Sequence, residues 1–208
     1  MSRIFAAIYD PFMRKTEQAG LAAWRAELLA GATGEVLEIG AGTGANIPHY
    51  PARVTRLVLT EPDPHMGARL RRSVTAHEGA RAQVQVAAAD ALPFDRGSFD
   101  VVVSTLVLCS VRDAARALDE VRRVLRPGGT LLYLEHVAAD DRPDRLAWQR
   151  RLEPLWSRVS GNCHLTRRTG EAIRDAGFEV EREVRASLRK ALPIVRPCVR
   201  GVARRPAG

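Results

Sequence analysis

The run Val36-Leu-Glu-Ile-Gly-Ala-Gly-Thr-Gly44 constrains this chain more than any other stretch of it. An apolar strand feeds straight into a loop with glycine at every second position. An acid, Glu38, stands two residues before the first glycine. Glycine lets the backbone turn sharply there and lets a ligand approach the main chain without meeting a Cβ. The dinucleotide fingerprint is Gly-x-Gly-x-x-Gly, which cradles a pyrophosphate. Here the third glycine comes one residue too early, which disfavours an NAD-binding oxidoreductase and keeps it only as an alternative class.

At 208 residues the chain suits one complete α/β domain rather than two. The uncharged run Val101 to Val111 falls well short of the ~18–20 apolar residues of a membrane span. Ile4 to Tyr9, followed by Asp10-Pro11, is no signal-peptide core. Cys109, Cys163 and Cys198 are odd in number, scattered and without ligand spacing. The expectation is therefore no disulfide framework, no metal site and a reducing, cytoplasmic setting.

The net charge of +8 invites a nucleic-acid reading, because basic patches drive phosphate binding. No Lys/Arg block with interleaved aromatics supports it, so no nucleic-acid partner is expected. One end of the chain differs: beyond Glu183 there is no acid, while Arg185, Arg189, Lys190, Arg196, Arg200, Arg204 and Arg205 are basic. A solvated edge and peripheral contact with a membrane surface or an anionic acceptor both remain open there.

The spacing predicts a helix over Thr16–Ala30, with Leu21, Trp24 and Leu28 on one face, stopped by Gly31 and Gly34. Strands are predicted at Val36–Ile39, Val54–Thr60, Val84–Ala88, Phe99–Ser104, Thr130–Glu135 and Glu179–Val184. A last strand is expected in the tail after Leu192. A helix carries Met66, Leu70 and Val74. Another opens at Ser110-x-x-Asp113, a capping-box spacing, and ends at Arg126-Pro-Gly-Gly129. A short helix is predicted over Thr169–Ala176. Strand–helix alternation at this rhythm means βαβ units and a parallel sheet.

In open α/β sheets the ligand sits beyond the carboxyl ends of the strands. Those ends deliver Glu38 and the glycine loop, then Glu61, then Asp90-Ala-Leu-Pro-Phe94, then Ser104-Thr105, then Glu135-His136. Glu61 is where an acid that chelates a ribose diol belongs, and Asp90 could accept an adenine amine. Singly, each acid is more often a loop cap or a solvated side chain; together, at successive strand ends, they form a site.

The order of Glu38-x-Gly-x-Gly-x-Gly, Glu61, Asp90-Ala-Leu-Pro-Phe and Leu125-Arg-Pro-Gly-Gly resembles class I S-adenosylmethionine-dependent methyltransferases over residues 35 to 135. The strings Gly44-Ala-Asn-Ile-Pro-His-Tyr-Pro51, Thr105-Leu-Val-Leu-Cys-Ser-Val111, Glu135-His-Val137 and Cys163-x-Leu-Thr-Arg167 are more specific. They resemble the methyltransferase-like seven family of alkyl thiol methyltransferases. The resemblance implies a Rossmann-like, seven-stranded, mostly parallel sheet with helices on both faces. It also implies S-adenosylmethionine as methyl donor and a small lipophilic acceptor, a thiol. On that resemblance Glu38, Gly40, Ala41 and Gly42 border the methionine and ribose, Glu61 holds the ribose hydroxyls, Asp90 and Ala91 meet the adenine, and main chain near Thr105 faces the methionine end.

This sequence shows no counterpart of the family's apolar membrane-anchoring segment, so membrane residence is not expected to carry over, and Pro48 and Pro51 leave no room for a long helix after the glycine loop. The chain reads as a single domain, 1–208, with a helical N-terminal lid (1–30) and an acceptor-side insertion (136–163). His136 is the candidate catalytic residue; its bland reading is an imidazole hydrogen-bonded to Glu135 or to backbone. His164 and His49 are weaker candidates, and Cys109 reads as a small core residue. Trp148 and Trp156 are expected to pack under the insertion. Methylation of a quinol, phenol or phospholipid headgroup on carbon, oxygen or nitrogen is the rival within the enzymes.

Overall fold

A computed structural model of the protein describes residues 3–77 and 82–207. The elements run α1 (Arg3–Thr16), α2 (Ala22–Leu29), β1 (Gly34–Ile39), β2 (Val54–Thr60), α3 (Pro64–His77), β3 (Ala82–Gln85), β4 (Phe99–Thr105), α4 (Ala114–Val124), β5 (Leu125–His136), α5 (Pro143–Val159), α6 (Thr169–Asp175), β6 (Glu179–Ser187) and β7 (Pro197–Arg204). The seven strands form one sheet in the order β3-β2-β1-β4-β5-β7-β6. β1 to β5 are parallel, while β7 runs antiparallel between β5 and β6.

Alternate residues of each strand feed two apolar cores. Val36, Leu57, Leu59, Val103, Leu132 and Leu134 pack with α2 and α3. Leu37, Ile39, Val58, Val102, Leu131 and Tyr133 pack with α4 and α6. Strands buried on both faces explain the near-continuous apolar runs of the sequence. At roughly 25 cal/mol per Å² of apolar area removed from water, these two layers supply the main stabilisation. Among the described residues, no helix is long and apolar enough to cross a membrane.

Several local expectations shift. The N-terminal helix begins at Arg3 and breaks at Gly20, whose φ of 133° lies outside any helix. β3 lies earlier than the apolar pattern indicates, because it pairs with only four residues of β2. Asp113, and not Ser110, caps α4: its carboxylate accepts the Arg116 N–H at 3.0 Å, so the capping-box reading is corrected. The Arg-Pro-Gly-Gly segment does not form a loop after α4. The chain passes from Val124 directly into β5, and residues 126–129 are absorbed as a bulge between the pairs Phe99↔Leu125 and Val101↔Thr130. After the glycine loop there is one 3₁₀ turn, Ile47–His49, as the two prolines dictate.

The insertion is a single helix, α5, and its anchor is polar. Buried Gln149 accepts the Ala139 N–H at 2.8 Å and donates to the carbonyls of Val137 and Ile194 at 3.2 and 2.9 Å. Trp148 is 56% exposed, with Arg151 over its ring, so the expectation that it packs beneath the insertion is corrected; Trp156 is half-buried. The arginines of the tail are largely spent on the fold. Arg200 pairs with Glu27 and covers the Trp24 ring, Arg204 pairs with Glu181, Arg205 bonds the Leu125 carbonyl, and Arg196 bonds that of Ala191.

Candidate active site

Parallel pairing brings the carboxyl ends of β1, β2, β4 and β5 to one edge of the sheet. The glycine loop leaves β1 with Gly40, Gly42 and Gly44 all at positive φ. At Gly40 a Cβ would stand 2.7 Å from Val107 Cγ1, so this glycine is needed for close packing. At Gly42 (φ 60°) a Cβ would meet nothing within 4 Å, so the backbone there is open to a bound molecule. Ala41 is fixed beneath it by an N–H bond to the Thr60 carbonyl, 2.8 Å.

Glu61 reaches this loop from the end of β2. It accepts the N–H groups of Gly42 and Asp63, both at 2.9 Å, on separate oxygens. Each oxygen keeps a lone pair, so the carboxylate can still take two hydroxyls of a diol. Burial raises its pKa while the two backbone donors oppose the rise. Asp90 and Ala91 follow β3. The Ala91 N–H bonds the Ala88 carbonyl, and the Asp90 carbonyl accepts Arg116 Nε at 2.9 Å. The half-buried Asp90 carboxylate has no hydrogen bond from the described residues. Arg123 clamps the loop beyond through the carbonyls of Phe94 and Leu92.

Glu38 is 2% exposed and anchors a buried network. Tyr50 donates to it at 2.6 Å and Asn46 at 2.9 Å. The same Asn46 amide donates to Thr105 Oγ1 at 2.9 Å, and Arg25 Nη1 donates to both Asn46 Oδ1 and Thr105 Oγ1, at 2.9 and 3.0 Å. Glu17 neutralises Arg25 at 3.1 Å. Burial pushes the Glu38 carboxyl up to about 7, against the pull of Tyr50, Arg25 and Asn46. Helix α1 adds Tyr9, whose phenol burial pushes up to about 12, and Asp10, which accepts the Thr43 hydroxyl at 2.6 Å.

Arg25, Asn46, Tyr50, Tyr9 and Asp10 escaped the sequence reading as individual site residues. Arg25 did leave a signal: it sits four residues after Leu21 and three before Leu28, a charge on the buried stripe of a helix. Asn46 and Tyr50 lie within the string Gly44 to Pro51 that was read only as a resemblance.

At the end of β5 the two neighbours diverge. Glu135 is fully buried and accepts Ser104 Oγ at 2.7 Å and the N–H groups of Val107 and Cys109 at 3.1 and 3.2 Å. It thereby holds the turn in which Leu106 adopts φ 60°. His136 is 2% exposed and faces not Glu135 but Cys163, whose Sγ lies 3.5 Å from Nδ1. Its Nε2 is buried without a hydrogen-bond partner among the described residues. His164 instead pairs with Glu153 of α5 at 3.1 Å, and half-exposed His49 lies on the 3₁₀ turn.

The cysteines are not scattered in space. The ligand atoms of Cys109, His136 and Cys163 all lie within 4.8 Å of one another. Sequence distance hid this cluster, because its three members come from three separate segments. The Cys163 thiol is held low by hydrogen bonds from Cys109 and from His136, while Cys109, as donor to Cys163 and buried, is pushed well up.

A family model described as a methyltransferase domain matches residues 37–133. The chain is 42% identical over 171 residues to the human thiol S-methyltransferase TMT1B, covering 80% of this chain and 70% of that protein. To human thiol S-methyltransferase TMT1A it is 38% identical over 178 residues, 84% and 72% of the two chains. Among solved structures, a SAM-dependent methyltransferase from Thermotoga maritima superposes with a TM-score of 0.70 at 22% identity, covering 98% of this chain and 97% of the other. The [4+2]-cyclase SpnF superposes with a TM-score of 0.72 at 19% identity, covering 90% and 80%, so the fold alone does not select a reaction.

Proposed function

The chain belongs to the class I S-adenosylmethionine-dependent methyltransferases, in the family of the thiol S-methyltransferases TMT1A and TMT1B, and from that premise we propose that it methylates the sulfur of a small lipophilic thiol. The relationship to two thiol S-methyltransferases over four-fifths of the chain carries the reading. The site residues fit the cofactor. The open backbone at Gly42 would border it, Glu61 would accept its ribose hydroxyls and Asp90 its adenine amine. Arg25 would meet its methionine carboxylate, because its guanidinium already points at Thr105 and the Glu38 network. When bound, the cofactor supplies a methyl group on a cationic sulfur.

The acceptor end agrees with a thiol. It is flanked by the apolar segment Leu106-Val107-Leu108, and His136 is not held by a carboxylate, since Glu135 is engaged by Ser104 and loop amides. An alcohol needs a strong base, whereas a thiol is already a few per cent ionised near pH 7. Alignment of sulfur and methyl then does most of the work, for which effective molarity can supply on the order of 7–11 kcal/mol. Membrane contact through the basic tail stays outside this reading, because most of those arginines are bonded within the fold.

The test is a transfer assay with labelled cofactor over alkyl and aryl thiols, phenols, quinols and amines. Thiols should turn over fastest, at a rate that rises with pH up to the pKa of the bound thiol. His136→Ala should slow turnover without weakening cofactor binding. Inert thiols beside an efficiently methylated phenol or quinol would overturn the acceptor assignment and leave the methyltransferase standing.

A further inference from the structure

We propose that Cys109, His136 and Cys163 form a three-ligand site for a zinc-like divalent cation, whose fourth position takes the acceptor thiol as thiolate. The second half of the proposal rests on the thiol reading; the first does not.

The three donors come from three separately anchored segments. Cys109 lies in the turn after β4, His136 ends β5, and Cys163 lies in the loop after α5. Their ligand atoms lie within 4.8 Å of one another, and the Cys163 Sγ to His136 Nδ1 separation is 3.5 Å. With Zn–S near 2.3 Å and Zn–N near 2.0–2.1 Å, tetrahedral donors stand roughly 3.5–3.8 Å apart, so the separation suits a shared ion. Two thiolates and one imidazole are a soft donor set that selects zinc over magnesium or calcium.

The backbone holds this arrangement without any help from an ion. Asn162 Nδ2 donates to the Ser110 carbonyl at 2.8 Å, and the His164 N–H donates to the Cys109 carbonyl at 2.8 Å. The neighbours of Cys163 on both sides thus grip the turn that carries Cys109. Glu135 holds the Cys109 N–H, and Arg167 holds the carbonyls of Leu108 and Val111. His136 is fixed by the pairing of β5 with β7. Cys109 and His136 are buried while Cys163 is half-buried, which leaves one side for entry. A disulfide would use two of the three donors and leave the imidazole without a role.

Three protein ligands leave one tetrahedral position open, as in catalytic rather than structural zinc sites. A thiol entering that position gives up its proton to solvent and binds as thiolate. Its lone pair then forms the new S–C bond as the cofactor's S–CH₃ bond breaks, with that electron pair staying on the departing S-adenosylhomocysteine sulfur. The neutral thioether is a poor ligand and leaves. This resolves a conflict in the site: burial disfavours a free thiolate, and bonding to the ion offsets that cost without a strong base.

The experiment uses the whole chain, reduced and metal-free, titrated with Zn²⁺ or Co²⁺ salts alone. About one ion per chain should bind, and the Co²⁺ form should show thiolate-to-cobalt charge-transfer absorption. Cys109→Ser and Cys163→Ser should each weaken uptake at least tenfold, while Cys198→Ser keeps it. Circular dichroism and cofactor binding check that every variant is folded. A small alkyl thiol should then perturb the Co²⁺ spectrum. Reduced wild-type protein that gives no charge-transfer band overturns the site, as does recovery of a Cys109–Cys163 disulfide whose reduction restores activity without metal. Full thiol turnover by the chelated enzyme overturns the proposed role of the ion and leaves the thiol reading intact. A normal band that no thiol perturbs, with a phenol methylated instead, supports the site and removes the thiol from it.

Discussion

Arg25 of α2 and Thr105 at the end of β4 meet at the carboxyl-end edge of the sheet, the guanidinium donating to the hydroxyl at 3.0 Å. The same nitrogen reaches Asn46, and Glu17, just beyond α1, pairs with the other side of the guanidinium. A buried cation therefore stands where α2 crosses the strand ends. Removal of one partner of such a pair leaves the other buried and uncompensated.

Arg25→Gln should weaken S-adenosylmethionine binding by about 1.5–3 kcal/mol, the range for a hydrogen bond to a charged group. Calorimetric titration checks it. Unchanged affinity with a lower melting temperature would make Arg25 a strut of the lid and not a contact of the methionine carboxylate.

Glu61 and Asp90 should separate the two ends of the nucleoside. Glu61→Ala removes a diol acceptor and should cost about 1.5–3 kcal/mol of cofactor affinity. It also frees the N–H groups of Gly42 and Asp63, so its melting temperature should fall as well. Asp90→Asn should cost little, since the amide keeps an oxygen, and Asp90→Ala more. Equal and negligible effects at Asp90 would leave the adenine to backbone alone.

Glu38 makes a pH signature. Its carboxyl is raised from 4.5 to about 7 in the fold, chiefly by burial. The folded state therefore holds a proton that the unfolded state has lost. The associated stability is fully present below about 4.5 and is lost as pH rises through about 7. Glu38→Gln mimics the protonated form. Chemical denaturation should find it gaining on wild type between about pH 5 and pH 8, by up to roughly 3 kcal/mol. Affinity of the wild type for the cationic cofactor should rise over the same interval, and the variant should lack that slope. Parallel stability curves for the two proteins would contradict the assignment.

Glu135 tests the turn that carries the acceptor end. Glu135→Gln sets an amide NH₂ against donors now held by carboxylate oxygens, Ser104 Oγ and the N–H groups of Val107 and Cys109. Leaving one buried donor unmet should cost about 1–3 kcal/mol of stability. Turnover should fall further than cofactor affinity, because the turn leads to Cys109. Intact turnover with lowered stability would confine Glu135 to the fold.

The elements of the sheet, and the edge at which its strand ends gather, were legible in the sequence, because both follow from local pattern. Apolar runs bounded by glycine and proline mark buried strands, and parallel pairing forces their ends, with Glu38, Glu61, Asp90 and Thr105, onto one edge. What required the tertiary structure is whatever depends on segments distant in the chain. Arg25 reaches Thr105 only because α2 packs against β5 and the 3₁₀ turn Ile47–His49, beside the end of β4. Trp148 faces solvent because Gln149, one residue on, finds three backbone partners from two other segments. Cys109, His136 and Cys163 converge only once β4 and β5 lie side by side and α5 returns the chain over their ends. Spacing along a sequence reports the period of a helix or strand. It carries no record of which loops fold back onto the same strand end.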